Sequence, residues 1–301
     1  MKRIFLLFIV IMQVSADNVQ AQASGLYIKA GGGLGVVLAG QTLDNNNIPF
    51  YGNITYLPNN PTTVDAFDVK KASFSSGVQA LAAVGYMFSE NIGVEIVVNG
   101  VLASSKYDVY EYNAINPAGT DIGTNHLTRQ VSFPLFITPS LVYTSGSTDI
   151  DGNLKKFTAY ARGGIVLPVI TKMVEEQQYN YTTTGEDEYI REETKMKFGV
   201  GFSGAMGIRY NASPNLSVWL ECNMMALSLY AKQTTVTDHT LDENPSTRNP
   251  VAGTVIKYTN TGSYTAYQQE PVYSVPFSNL GVAVGVMVFL KSPPPKESTR
   301  K

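Results

Sequence analysis

Cysteine is almost missing: Cys222 is the only one in 301 residues. That excludes an internal disulfide framework and any multi-cysteine zinc site, and the residue lies too far from the start to anchor a lipoprotein. Its surroundings fit a small apolar side chain on a strand. Long apolar runs are missing too. After residue 23 no stretch approaches the roughly 20 residues a membrane helix needs, so any crossing of a bilayer has to be made by strands. Charge of one sign is also absent, with 22 basic against 24 acidic residues and a net charge of −2. No basic stretch points to nucleic acid. No Gly-rich loop precedes a helix and no metal-ligand cluster appears, so neither cofactor nor metal is expected. Histidine is confined to His126 and His239.

The ends of the chain carry targeting information. Lys2 and Arg3 precede the apolar run from Ile4 to Met12, and Ala21-Gln22-Ala23 offers a small-x-small cleavage pattern. Residues 1–23 therefore read as a secretory signal peptide. Residues 24–291 show no linker-like shift in composition and read as one domain. Residues 292–301, with Pro293-Pro294-Pro295, read as a disordered periplasmic tail.

Within the domain, eight segments alternate apolar with small or polar residues: 26–38, 74–88, 92–103, 129–143, 157–169, 197–210, 216–230 and 280–290. In the first, Leu26, Ile28, Ala30, Leu34 and Val36 share one parity, against Tyr27, Lys29, Gly31 and Gly33. In the fourth, Val131, Phe133, Leu135 and Ile137 oppose Gln130, Ser132 and Thr138, and Pro134 and Pro139 predict a bulge or bend there. Connections alternate between long and short. This is the pattern of an all-β, eight-stranded antiparallel up-and-down transmembrane β-barrel with long extracellular loops at 39–73, 104–128, 171–196 and 231–276. The last loop holds a further strand-like run, Thr254 to Tyr258.

The apolar parity carries aromatics near the strand ends, as two membrane-interface girdles require: Phe74, Tyr86, Phe88, Phe133, Tyr143, Phe157, Phe198, Tyr210 and Tyr230. The opposite parity is rich in Gly, Ser, Asn and Gln, which is too polar for the dry core of a soluble sandwich. The glycines of Gly31-Gly32-Gly33 are expected to make room for neighbouring lumen side chains.

These residues resemble the small outer-membrane β-barrel family typified by the barrel domains of outer-membrane proteins A and X. The resemblance is carried by Leu26-Tyr27-Ile28-Lys29-Ala30-Gly31-Gly32-Gly33, Ile92-Gly93-Val94-Glu95, Tyr160-Ala161-Arg162-Gly163-Gly164 and Leu280-Gly281-Val282-Ala283-Val284-Gly285. It implies an address in the outer membrane of a Gram-negative bacterium, contact with outer-membrane lipid and lipopolysaccharide, and insertion by the barrel-assembly machinery. Two departures stand out: no peptidoglycan-binding domain follows the barrel, and the chain runs on past Phe289 rather than ending on a terminal aromatic.

Eight strands enclose only enough space for their own side chains, which excludes a general diffusion porin. On the inward parity Lys29, Glu95, Arg162 and Glu221 form a candidate lumen charge network, structural or gating, with Arg209 nearby. If Glu95 is buried and paired, Glu95→Ala should cost roughly 3–5 kcal/mol. Three functions remain open at this point. The first is a non-enzymatic, structural role in envelope integrity, with the loops either binding an external partner through tyrosine-rich runs such as Tyr107 to Tyr112 and Tyr179 to Thr184 or simply continuing the strands above the membrane as extended hairpins. The second is a narrow ion or small-solute channel. The third is a lipid A-modifying enzyme, for which His126 with Asp121 and His239 with Asp238 are the only hints, without a nucleophile motif; the alternative for both is a solvated loop histidine. The acidic runs Glu175-Glu176 and Glu186-Asp187-Glu188 offer either a divalent-cation bridge to lipopolysaccharide or a solvated charge run.

Overall fold

A computed structural model of the chain describes residues 25–38, 52–57, 60–69, 73–104, 106–115, 121–147, 155–182, 184–213, 215–248, 250–259 and 268–290. The expected signal peptide and tail lie outside the described residues. Strand β1 (Gly25–Val37) is followed by the hairpin of β2 (Gly52–Leu57) and β3 (Asn60–Val69), and the chain returns along β4 (Gly77–Met87). A short turn leads to β5 (Ile92–Ser104), which continues into β6 (Lys106–Ile115) and comes back through β7 (Asp121–Val131) and β8 (Leu135–Thr144). β9 (Phe157–Ile170), β10 (Met173–Asn180), β11 (Asp187–Met196) and β12 (Gly201–Asn211) repeat that excursion. β13 (Leu216–Ala226) runs into β14 (Ser228–Leu241), then β15 (Asn244–Pro245), β16 (Val255–Thr259), β17 (Gln269–Pro271), β18 (Ser274–Pro276) and finally β19 (Asn279–Phe289).

Eight of these strands close on themselves in the order β1-β19-β13-β12-β9-β8-β5-β4. Closure is explicit at β1, where Gly31 faces Gly285 of β19 on one side and Leu81 of β4 on the other. Every ladder in the ring is antiparallel, and no edge is left with unpaired backbone groups. The period-two pattern fixes which face is which. Leu34, Val36, Ile96, Leu102, Leu141, Met206, Val282 and Val284 point outward and exposed, whereas Tyr27, Lys29, Glu95, Arg162, Trp219 and Glu221 point inward and are buried. An apolar wall running around the whole barrel far exceeds the few hundred Å² that soluble monomers leave exposed, and a bilayer is the solvent that accepts it. Inward glycines make the room that filling side chains need: a Cβ on Gly31 or Gly285 would collide with the Trp219 ring, and one on Gly85 with Tyr27.

The long connections are built as sheet. At the long-loop end a second sheet runs β17-β16-β14-β11-β10-β7-β6, with β15 and β18 also on β14. The strand-like run at 254–258 is β16, paired to β14 through Lys257 and Gln233.

Two expected outward residues point inward. Phe74 is wholly buried and is not part of a girdle, because β4 starts only at Gly77, whose φ of 115° turns the preceding segment in over the lumen. Val131 is likewise buried, in the strand that precedes the bend at 132–134. There Phe133 takes φ 49° ahead of Pro134, and the change of direction reverses the parity, so that Phe133 emerges on the outside. Of the other girdle candidates, Tyr86, Tyr143, Phe157, Phe198, Tyr210 and Tyr230 are exposed on the outer wall and Phe88 is half-buried against Tyr86. The single thiol, Cys222, is also exposed on that wall.

Candidate functional site: the closed lumen

The lumen is filled in three layers. The layer toward the short-turn end holds the expected charges. Glu221 is its hub. One carboxylate oxygen accepts from Lys29 Nζ at 2.7 Å and from the Tyr160 hydroxyl at 2.8 Å, while the other accepts from Arg162 Nη2 at 2.8 Å. Lys29 and the Glu221 side chain are fully buried. Lys29 also lies 4.2 Å from the centre of the Trp219 ring, whose indole N–H donates to the Val286 carbonyl at 3.1 Å. Glu95 is tied in more loosely. The Tyr27 hydroxyl donates to it at 2.9 Å, but Arg162 Nε stays 3.7 Å away, and both that nitrogen and Glu95 Oε1 lack a hydrogen-bond partner. Two cations face two anions, so the layer is neutral.

Arg209 does not join this network. It donates to Asn211 at 3.1 Å and to the Ser147 hydroxyl at 2.8 Å, and lies over the Phe289 ring, with no carboxylate partner among its contacts. It thus closes the short-turn end. Trp219, Tyr27 and Tyr160 complete the charged layer; each lies two residues from one of the charges on the same face of its strand, yet nothing in a single strand marks them as partners.

Above the charges lies a layer of amides and hydroxyls. Asn99 donates to Gln79 at 3.4 Å, and a cavity of about 10 Å³ between Asn99, Thr138, Arg162 and Asn223 has room for one water molecule. The third layer, at the long-loop end, is apolar: Phe74, Leu127, Val131, Phe136, Val166, Met173, Met225, Leu227, Leu229, Val275 and Phe277 form one buried cluster. Two loop exits, 73–76 and 274–279, are laced across the mouth to hold it. Phe74 N donates to the Pro276 carbonyl at 3.1 Å, Asn279 Nδ2 to the Ser75 carbonyl at 2.9 Å, and the Ser75 hydroxyl to the Phe277 carbonyl.

Outside the barrel, the structure decides between readings of the loop residues. His239 is not solvated: it is 1% exposed, with Nδ1 2.6 Å from the Pro250 carbonyl and Nε2 2.7 Å from Glu188. Its carboxylate is Glu188 rather than the neighbouring Asp238. The Tyr181 hydroxyl donates to the other oxygen of Glu188 at 2.8 Å, and burial together with that carboxylate pushes the phenol up to about 12. His126 sits half-buried on β7. The glutamates of the acidic runs are not free charge either. Glu175 pairs with Arg129, Glu176 with Lys106 and Arg191, and Glu186 with Arg248. Glu188 is already held by His239. Among the described residues no group of three or more His, Cys, Asp or Glu is placed to hold a metal ion. The side chains of Tyr107 to Tyr112 lie outside the described residues.

No protein-family model matches the chain, and no curated protein matches it. Solved structures do. The outer membrane protein OprG from Pseudomonas aeruginosa aligns over 91% of this chain and 100% of its own at 13% identity, with a TM-score of 0.42. The E. coli outer membrane protein W aligns over 90% and 100% at 13% identity, with a TM-score of 0.30. Ail, the attachment invasion locus protein of Yersinia pestis, solved with the heparin analogue sucrose octasulfate, aligns over 88% and 96% at 7% identity, with a TM-score of 0.27. The geometry of the chain itself carries the assignment: a closed antiparallel ring, an apolar exterior, a packed polar interior and long connections at one end only. It is a small eight-stranded β-barrel of the outer-membrane type.

Proposed function

We propose that this barrel is a closed, non-enzymatic structural protein of the outer membrane that carries a β-rich platform on the cell surface for an external partner. One observation supports this above the others: the lumen is shut twice, by the neutral charged layer around Glu221 and by the apolar cluster around Phe74 and Phe277. A solute would have to break a buried ion-pair network and then displace a packed apolar plug, and each step is costly on its own. The platform is sheet rather than loose loop, with stacked Tyr179 and Tyr181 rings at the tip of the β10–β11 hairpin. Such rings offer amphipathic contact area at small entropic cost.

Reconstitution of the chain into a planar lipid bilayer is the test. The expected record has no unitary current steps at any applied potential. Reproducible steps that vanish on Arg162→Ala would transfer the assignment to the channel reading.

A further inference from the structure

Lysine distribution on the outer wall is uneven, and one sector holds a cluster that the platform leaves without counter-ions. Its origin is a local irregularity. The register of β11 on β14 shifts between Lys195 and Met196: Lys195 faces Gln233 while Met196 faces Ala231. The extra residue on β14 is Lys232. Ala231 and Thr234 both stay buried, so the bulge pushes Lys232 and Gln233 together onto the outside. Gln233 in turn faces Lys257 on β16, which places Lys195, Gln233 and Lys257 in one row across three strands. Lys195, Lys232 and Lys257 are all exposed. Lys197 lies one step lower, its amide donating to the Tyr230 carbonyl at 2.7 Å.

None of these four lysines has an ion pair with a described residue. That contrasts with Lys106 and Lys172, which are bound to Glu176 and Glu193. Glu193, the nearest carboxylate along β11, is therefore already neutralised. Height matters as much as charge. Phe198 and Tyr230, both exposed on the outer wall, mark where the apolar band ends, and the row at Gln233 lies three residues farther along β14. At about 3.3 Å per residue on strands tilted by about 40°, that is roughly 7–8 Å above the girdle. The headgroup layer of a bilayer is itself about 5–7 Å deep on each side.

From the bulge, the row and its height we infer that Lys195, Lys197, Lys232 and Lys257 form a specific seat for the phosphorylated disaccharide headgroup of a lipopolysaccharide in the outer leaflet. Neighbouring strands lie about 4.8 Å apart, so Lys195 and Lys257 straddle a span of about 10 Å, enough for one phosphate group between them with Gln233 as an added donor. Tyr230 and Phe198 would pack below the sugar against the first acyl carbons. The inference rests on the barrel standing in an outer membrane, and its test separates the two.

The test uses the full chain in phosphatidylcholine nanodiscs doped with bisphosphorylated lipid A or with its dephosphorylated form, and counts retained lipid A by native mass spectrometry. The expected result is a preference for the phosphorylated form that falls by roughly 100-fold in the Lys195→Gln, Lys232→Gln, Lys257→Gln triple variant, about fivefold for each lysine. Lys106→Gln with Lys172→Gln, which removes two ion-paired lysines, should leave the preference intact. Heat-dependent electrophoretic mobility confirms that each variant is a folded barrel. A folded triple variant that keeps the preference overturns the seat, as does a parent chain that inserts and shows none. A parent chain that neither inserts nor shifts on heating overturns the membrane reading as well.

Discussion

Glu221→Ala should cost roughly 3–5 kcal/mol, read as a lowered urea midpoint for the barrel refolded in lipid vesicles. The size follows from what the change leaves behind. Lys29 and Arg162 both give their best hydrogen bond to Glu221, at 2.7 and 2.8 Å, and both are buried on an inner wall that the bilayer seals from outside. Two cations would then share a dry compartment with one carboxylate, Glu95, whose nearest approach to Arg162 is 3.7 Å. Glu221→Gln keeps the shape and loses the charge, so it should be nearly as damaging. Glu95→Ala should cost less, about 1–3 kcal/mol, because it removes the Tyr27 hydrogen bond and leaves the Glu221 hub standing. Burial alone would have ranked the two glutamates together; the hydrogen bonds separate them. Replacing Lys29, Glu95, Arg162 and Glu221 all together by apolar residues of similar volume, so that no charge is left unpaired, should be neutral or stabilising if the layer is a plug. An unchanged midpoint for Glu221→Ala would mean that water reaches the layer and that the lumen is not shut there.

What this sequence can reveal of its fold divides along a physical line. Alternation reports the face of a residue while a strand lasts. Lys29, Glu95, Arg162 and Glu221 share the inward parity, and all four are buried. It says nothing of partners 59 to 192 residues apart, so the hub role of Glu221 cannot be read from it. Parity also fails silently where a strand ends. Phe74 and Val131 each lie across a break from the strand whose parity they follow in sequence, at Gly77 and Phe133, where a positive φ turns the chain. The platform was harder still. Its inner face is half polar, with Thr194 and Thr234 sharing a hydroxyl hydrogen bond of 2.6 Å where a core would carry Val or Leu. A sheet closed by hydroxyls and ion pairs shows no hydrophobic period, so the sequence allows loops or hairpin extensions there without showing that they join into one sheet.

That polar construction makes His239 the second place where one atom group should matter greatly. His239→Ala is expected to lower the opening free energy of the platform by about 3–5 kcal/mol, seen as faster amide hydrogen exchange at Ile190 and Val236, with the barrel strands unaffected. His239 ties three segments together: β14, on which it sits, the segment that begins at Pro250 through that residue's carbonyl, and β11 through Glu188. A carbonyl only accepts, so Nδ1 carries a proton. A second proton must then lie between Nε2 and Glu188, on one partner or the other. Alanine removes both donors and leaves the Glu188 carboxylate buried with the Tyr181 hydroxyl as its remaining partner, beside a cavity the size of the ring. Glutamine, which can still donate to Glu188, should recover part of the loss. Unchanged exchange in both variants would show that the platform is held elsewhere. The same variant bears on catalysis: with both ring nitrogens committed to structural partners, His239 has no lone pair to offer a nucleophile, and His239→Ala cells should keep their lipid A acyl pattern.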